Sequence, residues 1–121
     1  MNRAILSGRL TRDPEVRYNQ GLNGGFAIAK MTLAVDRPKK KDQEEKATDF
    51  IDLVAFGKRA EFLERYGFKG QRIAVSGSIR VDKYEIQGEK KTRTEVYIDD
   101  VDIIDWPDRP QDRINEEAFV F

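Results

Sequence analysis

Hydrophobic and polar positions alternate along most of this chain, and the period is two. In NRAILSGRL, Ala4, Leu6, Gly8 and Leu10 fall on one parity and Arg3, Ile5, Ser7 and Arg9 on the other, which predicts a strand. TRDPE with Pro14 reads as a turn, and the polar, glycine-bearing stretch from Arg17 to Gly25 as a hairpin loop. FAIAKMTLAV is a second strand, and DRPKKKDQEEKA (36–47), wholly polar, a mobile hairpin tip. DFIDLVAFG gives the third strand, KRAEFLERYG (58–67) a short helix with Gly67 as the C′ residue, and QRIAVSGSIRVDKYEI a fourth strand. On the fourth strand Ile73, Val75, Gly77, Ile79 and Val81 read as core, with Gly77 at a sharp bend. QGEKK is a hairpin turn, and TRTEVYIDDVDII is the fifth strand, whose apolar parity slips between Ile98 and Val101, as at a bulge.

Five antiparallel strands with one short helix between strands 3 and 4 predict an all-β OB-fold, a five-stranded Greek-key barrel that binds oligomers on an exposed sheet face. One domain is expected over residues 1–105, with 106–121 a short, flexible, acidic C-terminal tail.

The third strand raises a question of function. Its parity Ile51, Leu53, Ala55 is apolar, while Phe50, Asp52, Val54 and Phe56 share a face that the carboxylate marks as wet. Phe50 and Phe56 lie roughly 20 Å apart along a strand, too far for one cluster but suited to two separate bases. Arg72, Arg80 and Tyr84 occupy the wet parity of the fourth strand, and Arg3 and Arg9 that of the first. Rings for bases interleaved with cations for phosphates are what a single-stranded nucleic acid requires. The competing reading places Phe50 and Phe56 under a loop or in a subunit interface.

Composition narrows the chemistry. The 121 residues contain neither Cys nor His, so the usual nucleophile–base pairs and zinc sites cannot be built. Asp99, Asp100, Asp102 and Asp105 could ligate Mg²⁺, but the adjacent pair points to opposite faces and no base accompanies it. No enzyme activity, metal or cofactor is expected. The net charge of zero conceals an asymmetry: residues 1–98 carry +6 and residues 99–121 carry −6, as for a polyanion-binding body with an acidic appendage. No apolar run approaches the ~20 residues that span a bilayer. Arg3 and Arg9 bracket only five residues, which is no signal pattern, so a cytoplasmic location is expected.

MNRAILSGRLTRDPEVRY, TDFIDLVAFGKRAE, KGQRIAVSGSIRVDKYE and TEVYIDD, in this order from Met1 to about Ile104, resemble the bacterial and phage single-stranded-DNA-binding protein (SSB) family. The resemblance implies an OB-fold, a homotetramer (or a homodimer), and sequence-tolerant binding of single-stranded DNA in replication, recombination and repair. It places the family's stacking aromatics at Phe50, Phe56 and Tyr84, where Phe and Tyr replace the larger tryptophan common at the first and last. It places basic contacts at Lys58, Lys69, Arg80 and Lys83. Lys39, Lys40 and Lys41 stand in the loop where the family often has a further ring. The end, WPDRPQDRINEEAFVF, keeps Glu116, Glu117, Phe119 and Phe121 as a shortened version of the family's acidic tip, which binds partner proteins of replication and recombination. The implied location is the bacterial nucleoid, or the host cytoplasm for a phage protein. The residues leave open an OB-fold module that binds RNA, which the same rings and cations would serve, or one that only assembles proteins.

Overall fold

A computed structural model of the chain describes residues 1–20, 25–39 and 47–107. The elements in chain order are β1 (Ala4–Leu10), β2 (Glu15–Asn19), β3 (Phe26–Asp36), β4 (Thr48–Phe56), α1 (Lys58–Tyr66), β5 (Arg72–Ile86) and β6 (Glu89–Ile103). The strands form one sheet in the order β1-β5-β6-β4-β3-β2, and β1 pairs a second time with β3 through Arg9↔Ala34 and Leu10↔Leu33. That seam closes five strands into a barrel. β4 and β6 run parallel, and the other pairs are antiparallel. This is the expected Greek-key barrel, with the helix between the strands expected as third and fourth.

The strand count differs by one. The stretch expected as a loop from Arg17 begins inside β2, which pairs with β3 from Glu15↔Lys30 to Asn19↔Phe26. β2 lies outside the barrel ring on an edge, with only Val16 turned partly inward, and its alternation of Glu15, Arg17 and Asn19 with Val16 and Tyr18 is only five residues long. The last strand also starts earlier than expected, at Glu89, because Gln87 and Gly88 both take positive φ and make a two-residue turn.

Inward parities supply the core as expected over most of the barrel. Leu10, Met31, Leu33, Leu53 and Ile73 are buried, and α1 closes one end with Ala60, Leu63 and Tyr66. Ile79 and Val81 depart from the expectation of core: they are 42% and 55% exposed. Beyond Gly77 the β5–β6 hairpin runs out of the packed interior, and among the described residues its inner face is only partly covered. The helix ends at Gly67 as expected, but Gly67 is extended rather than left-handed. Glycine is needed there because a Cβ would press on Pro14 and on the Leu63 carbonyl.

The bulge falls where the parity slipped. Ser76 pairs with Asp100 and Gly77 with Ile98, leaving Asp99 as the extra residue. Gly77 lies so close to β6 that a Cβ would collide with the Tyr97 carbonyl. Gln71, fully buried, donates through Nε2 to the carbonyls of Tyr66 (2.9 Å) and Asp105 (3.0 Å), tying the end of α1 to the end of β6. Trp106 continues this packing edge-on against Phe62 and Tyr66, with ring centroids 6.1 and 5.5 Å away.

Candidate nucleic-acid interface

The outer face of the barrel can be read across its strands. Register places Ala34 beside Phe50, Thr32 beside Asp52, Lys30 beside Val54 and Ile28 beside Phe56. On the other flank of β4, Asp52 meets Glu95 and Val54 meets Tyr97, and beyond them Glu95 meets Arg80 and Tyr97 meets Ser78. Side chains of directly paired residues project to the same side, so these residues share one surface.

Phe50 is 68% exposed, and its ring makes no aromatic contact among the described residues. Its small neighbour Ala34 pairs onward with Arg9, and Arg9 with Arg72. An exposed ring therefore stands at one end of a row that finishes in two arginines. Below it, Arg37 grips Asp49 with two hydrogen bonds of 2.9 and 2.8 Å. That fork holds the Asp49 carboxyl below the usual carboxylate range and pins the ends of β3 and β4 together.

Phe56 is differently placed. It is 38% exposed and packs, tilted, against Tyr97 at 5.4 Å and Phe26 at 6.3 Å. The Arg80 guanidinium lies 5.2 Å from the centre of the Tyr97 ring, a cation–π arrangement. Phe26, Phe56 and Tyr97 thus form one aromatic platform edged by a cation. Val54, on the same parity as Phe50, is 2% exposed beside it, so this part of the wet face is more thickly covered than its sequence suggests. Phe26 and Tyr97 are site residues that parity alone did not single out. The signal was present, since each sits opposite the core parity of its strand, but only the register of three strands brings them to Phe56.

Tyr84 lies out on the β5–β6 hairpin, half-buried, with the Arg93 guanidinium 5.3 Å from its ring centre. Lys83, next to it, points to the opposite face and is exposed. Lys58 opens α1 directly after Phe56 and Gly57, and is exposed. Lys69 is exposed, and its backbone N–H donates to Asp13 at 2.7 Å. Arg72 is exposed on the row of Phe50, and Lys39 is exposed after β3.

Arg3 and Arg9 are already engaged. Arg3 pairs with the bulge residue Asp99, which also accepts from the Ser76 hydroxyl at 2.9 Å. The Ser76 hydrogen bond first, and the Arg3 guanidinium second, lower the Asp99 pKa. Arg9 donates to the Gly70 carbonyl (2.9 Å) and approaches Asp105 at 3.4 Å. The four aspartates that could have ligated a metal do not gather: Asp99 and Asp105 serve these arginines, and no group of three or more His, Cys, Asp or Glu suited to a metal ion occurs among the described residues. Lys40, Lys41, Glu116, Glu117, Phe119 and Phe121 lie outside the described residues. No helix among the described residues is long and apolar enough to cross a membrane.

Comparison with known proteins gives the family of the chain. The chain is 46% identical over 106 residues to a single-stranded DNA-binding protein of Clostridium perfringens, covering 87% of this chain and 67% of that one. It is 42% identical over 104 residues to the single-stranded DNA-binding protein of Fusobacterium nucleatum, covering 84% and 66%. It is 38% identical over 122 residues to single-stranded DNA-binding protein 1 of Staphylococcus aureus, covering 98% and 76%. The chain thus spans about two thirds of the length of the first two relatives. The model of the single-strand binding protein family matches residues 1–104. With nearly the whole barrel inside that match, the chain belongs to the single-strand binding protein family.

Proposed function

We propose that this chain binds single-stranded DNA with little regard for sequence and performs no chemistry on it: it covers and protects the strand during replication, recombination and repair. Phe50 carries the reading. A ring 68% exposed on a strand, in register with a row ending at Arg9 and Arg72, is costly to leave in water and well placed to take a base. Each stacked base contributes on the order of 1–3 kcal/mol by alanine substitution in OB-fold single-strand binders.

In this reading the strand crosses the barrel from Phe50 to the Phe56 platform and on to Tyr84. Lys39, Lys40, Lys41, Lys58, Lys69, Arg72, Arg80 and Lys83 take phosphates, and Arg3 and Arg9 join them by exchanging carboxylate partners for phosphate. Residues 1–105 bind DNA. The acidic residues after them visit the basic face when DNA is absent and, through Glu116, Glu117, Phe119 and Phe121, engage partner proteins when it is bound. The protein works as a homotetramer in the bacterial or host cytoplasm, and relatives named for single-stranded DNA binding support the assignment.

The test is fluorescence anisotropy with labelled oligo(dT), a matched duplex and a matched RNA, for wild type and Phe50→Ala/Tyr84→Ala. Single-stranded DNA should bind far more tightly than duplex, and the double variant should lose ~2–6 kcal/mol. Equal affinity for duplex and single strand, or an unaffected variant, overturns the proposal. Preference for RNA would identify an RNA-binding module, and binding of neither an assembly module.

A further inference from the structure

The ladder between β1 and β5 runs one rung further than the backbone of β1. Strand pairing stops at Ala4↔Gly77, and Asn2 stands outside the strand. Continued by two positions, that register sets Asn2 opposite Ile79. The Asn2 side chain takes the place: Nδ2 donates to the Ile79 carbonyl, and Oδ1 accepts from the Ile79 N–H, both at 2.8 Å. A carboxamide carries the same donor and acceptor as a peptide group. Asn2 therefore adds a rung to the sheet without adding backbone.

That rung falls at the root of the β5–β6 hairpin. On the β6 side the root is held by β4, through pairing at Glu95, Val96 and Tyr97. On the β5 side, the hydrogen bonds made beyond Gly77 to anything but β6 are those of Asn2 alone, among the described residues. Packing does not fix this edge instead, since Ile79 and Val81 are largely open to solvent. Arg3, the next residue, pairs with Asp99 at the bulge of β6, but in the reading above Arg3 turns to phosphate when DNA binds. Asn2 is the tie that remains.

The hairpin carries Tyr84, with the Arg93 guanidinium over its ring, and Arg80 at the edge of the aromatic platform. Tyr84 lies five residues beyond Ile79, roughly 17 Å along the strand. At that reach a swing of about 10° at the root carries the ring about 3 Å, whereas a binding contact tolerates displacements of only about 0.5–1 Å. Resting on the single-strand reading above, we infer that Asn2 is a positioning residue for DNA: its carboxamide fixes the root of the β5–β6 hairpin and so holds Tyr84 where a base stacks.

The test is a thermodynamic cycle. Anisotropy with an oligo(dT) long enough to run from Phe50 to Tyr84 is measured for wild type, Asn2→Ala, Tyr84→Ala, Phe50→Ala, and the two double variants that add Asn2→Ala. Asn2→Ala should weaken binding about fivefold, within what one stacked base contributes. The loss should persist in Phe50→Ala and vanish in Tyr84→Ala, because a ring that is gone cannot be misplaced. A general structural role gives the same loss in all three backgrounds and overturns the inference, as does full affinity in Asn2→Ala. Amide hydrogen exchange supplies a readout without DNA: the Ile79 N–H should exchange about tenfold faster in Asn2→Ala, and unchanged protection overturns the inference too. Wild type that fails to bind oligo(dT) removes the single-strand reading and this inference with it; equal losses in a protein that binds remove this inference alone.

Discussion

Truncating Phe50 and truncating Phe56 should cost the protein different things. Both rings are assigned to base stacking, so each alanine variant should lose about 1–3 kcal/mol of binding. Stability should separate them. Between 68% and 38% exposure lie about 60 Å² of a side chain of roughly 200 Å². At ~25 cal/mol per Å², that difference is worth about 1.5 kcal/mol. Phe56 also makes two tilted ring contacts, with Phe26 and Tyr97, which together add on the order of 1–2 kcal/mol. Phe56→Ala should therefore unfold about 2.5–3.5 kcal/mol more easily than Phe50→Ala, and Phe50→Ala should lose only about 1.5 kcal/mol relative to wild type. Urea titrations followed by circular dichroism give the stabilities, and anisotropy with oligo(dT) gives the affinities. If Phe50→Ala loses as much stability as Phe56→Ala, its ring is buried in an interface between subunits and stacking is the wrong account. If it keeps full affinity, the row from Phe50 to Arg72 does not lie on the strand's path.

Three further outcomes are expected. Gly77→Ala should destabilise the fold by about 2 kcal/mol or more, because the new methyl meets the Tyr97 backbone rather than a movable side chain; a thermal melt unchanged from wild type contradicts the close approach of β5 and β6. The Asp99 pKa is lowered from its ordinary 3.8 by Ser76 and then Arg3, so its contribution to stability is present above pH 3.8 and fades as the pH falls below it; the drop in urea midpoint between pH 6 and about pH 3 should be smaller in Asp99→Asn than in wild type, and an equal drop refutes the linkage. Lys58→Ala should reduce the slope of log affinity against log salt by about 0.7, one single-strand phosphate contact, and an unchanged slope removes Lys58 from the interface.

The barrel was legible because its strands bury one side and wet the other, and a side-chain period of two records that directly. The rule is weak where a strand is short. In β2, Glu15, Arg17 and Asn19 do alternate with Val16 and Tyr18, but over five residues only, on the sheet edge outside the ring and beside a polar stretch. Ile79 and Val81 continue the core parity of β5, but the barrel beneath them has ended. Parity reports which side of a strand is apolar and says nothing of how far the neighbouring layer extends. The site divides in the same way. Phe50, with a carboxylate two positions on, announces itself along one strand. The platform of Phe26, Phe56 and Tyr97 depends on pairing between strands distant in sequence, which only the register supplies.

The closure of the barrel also has a consequence for the order in which the protein can assemble. β1 is the first strand made, yet its main partner is β5, with Ala4 set against Gly77 and Arg9 against Arg72. Over most of synthesis Leu6 and Leu10 have only the two-residue seam with β3 to shelter them. The β5–β6 hairpin, joined by a two-residue turn, is by contrast local and can form as soon as it is made. The N-terminal strand must then find its slot after the rest of the sheet exists. So many contacts between distant parts of the chain predict folding in milliseconds to seconds rather than microseconds, with the joining of β1 to β5 as the event that commits the chain.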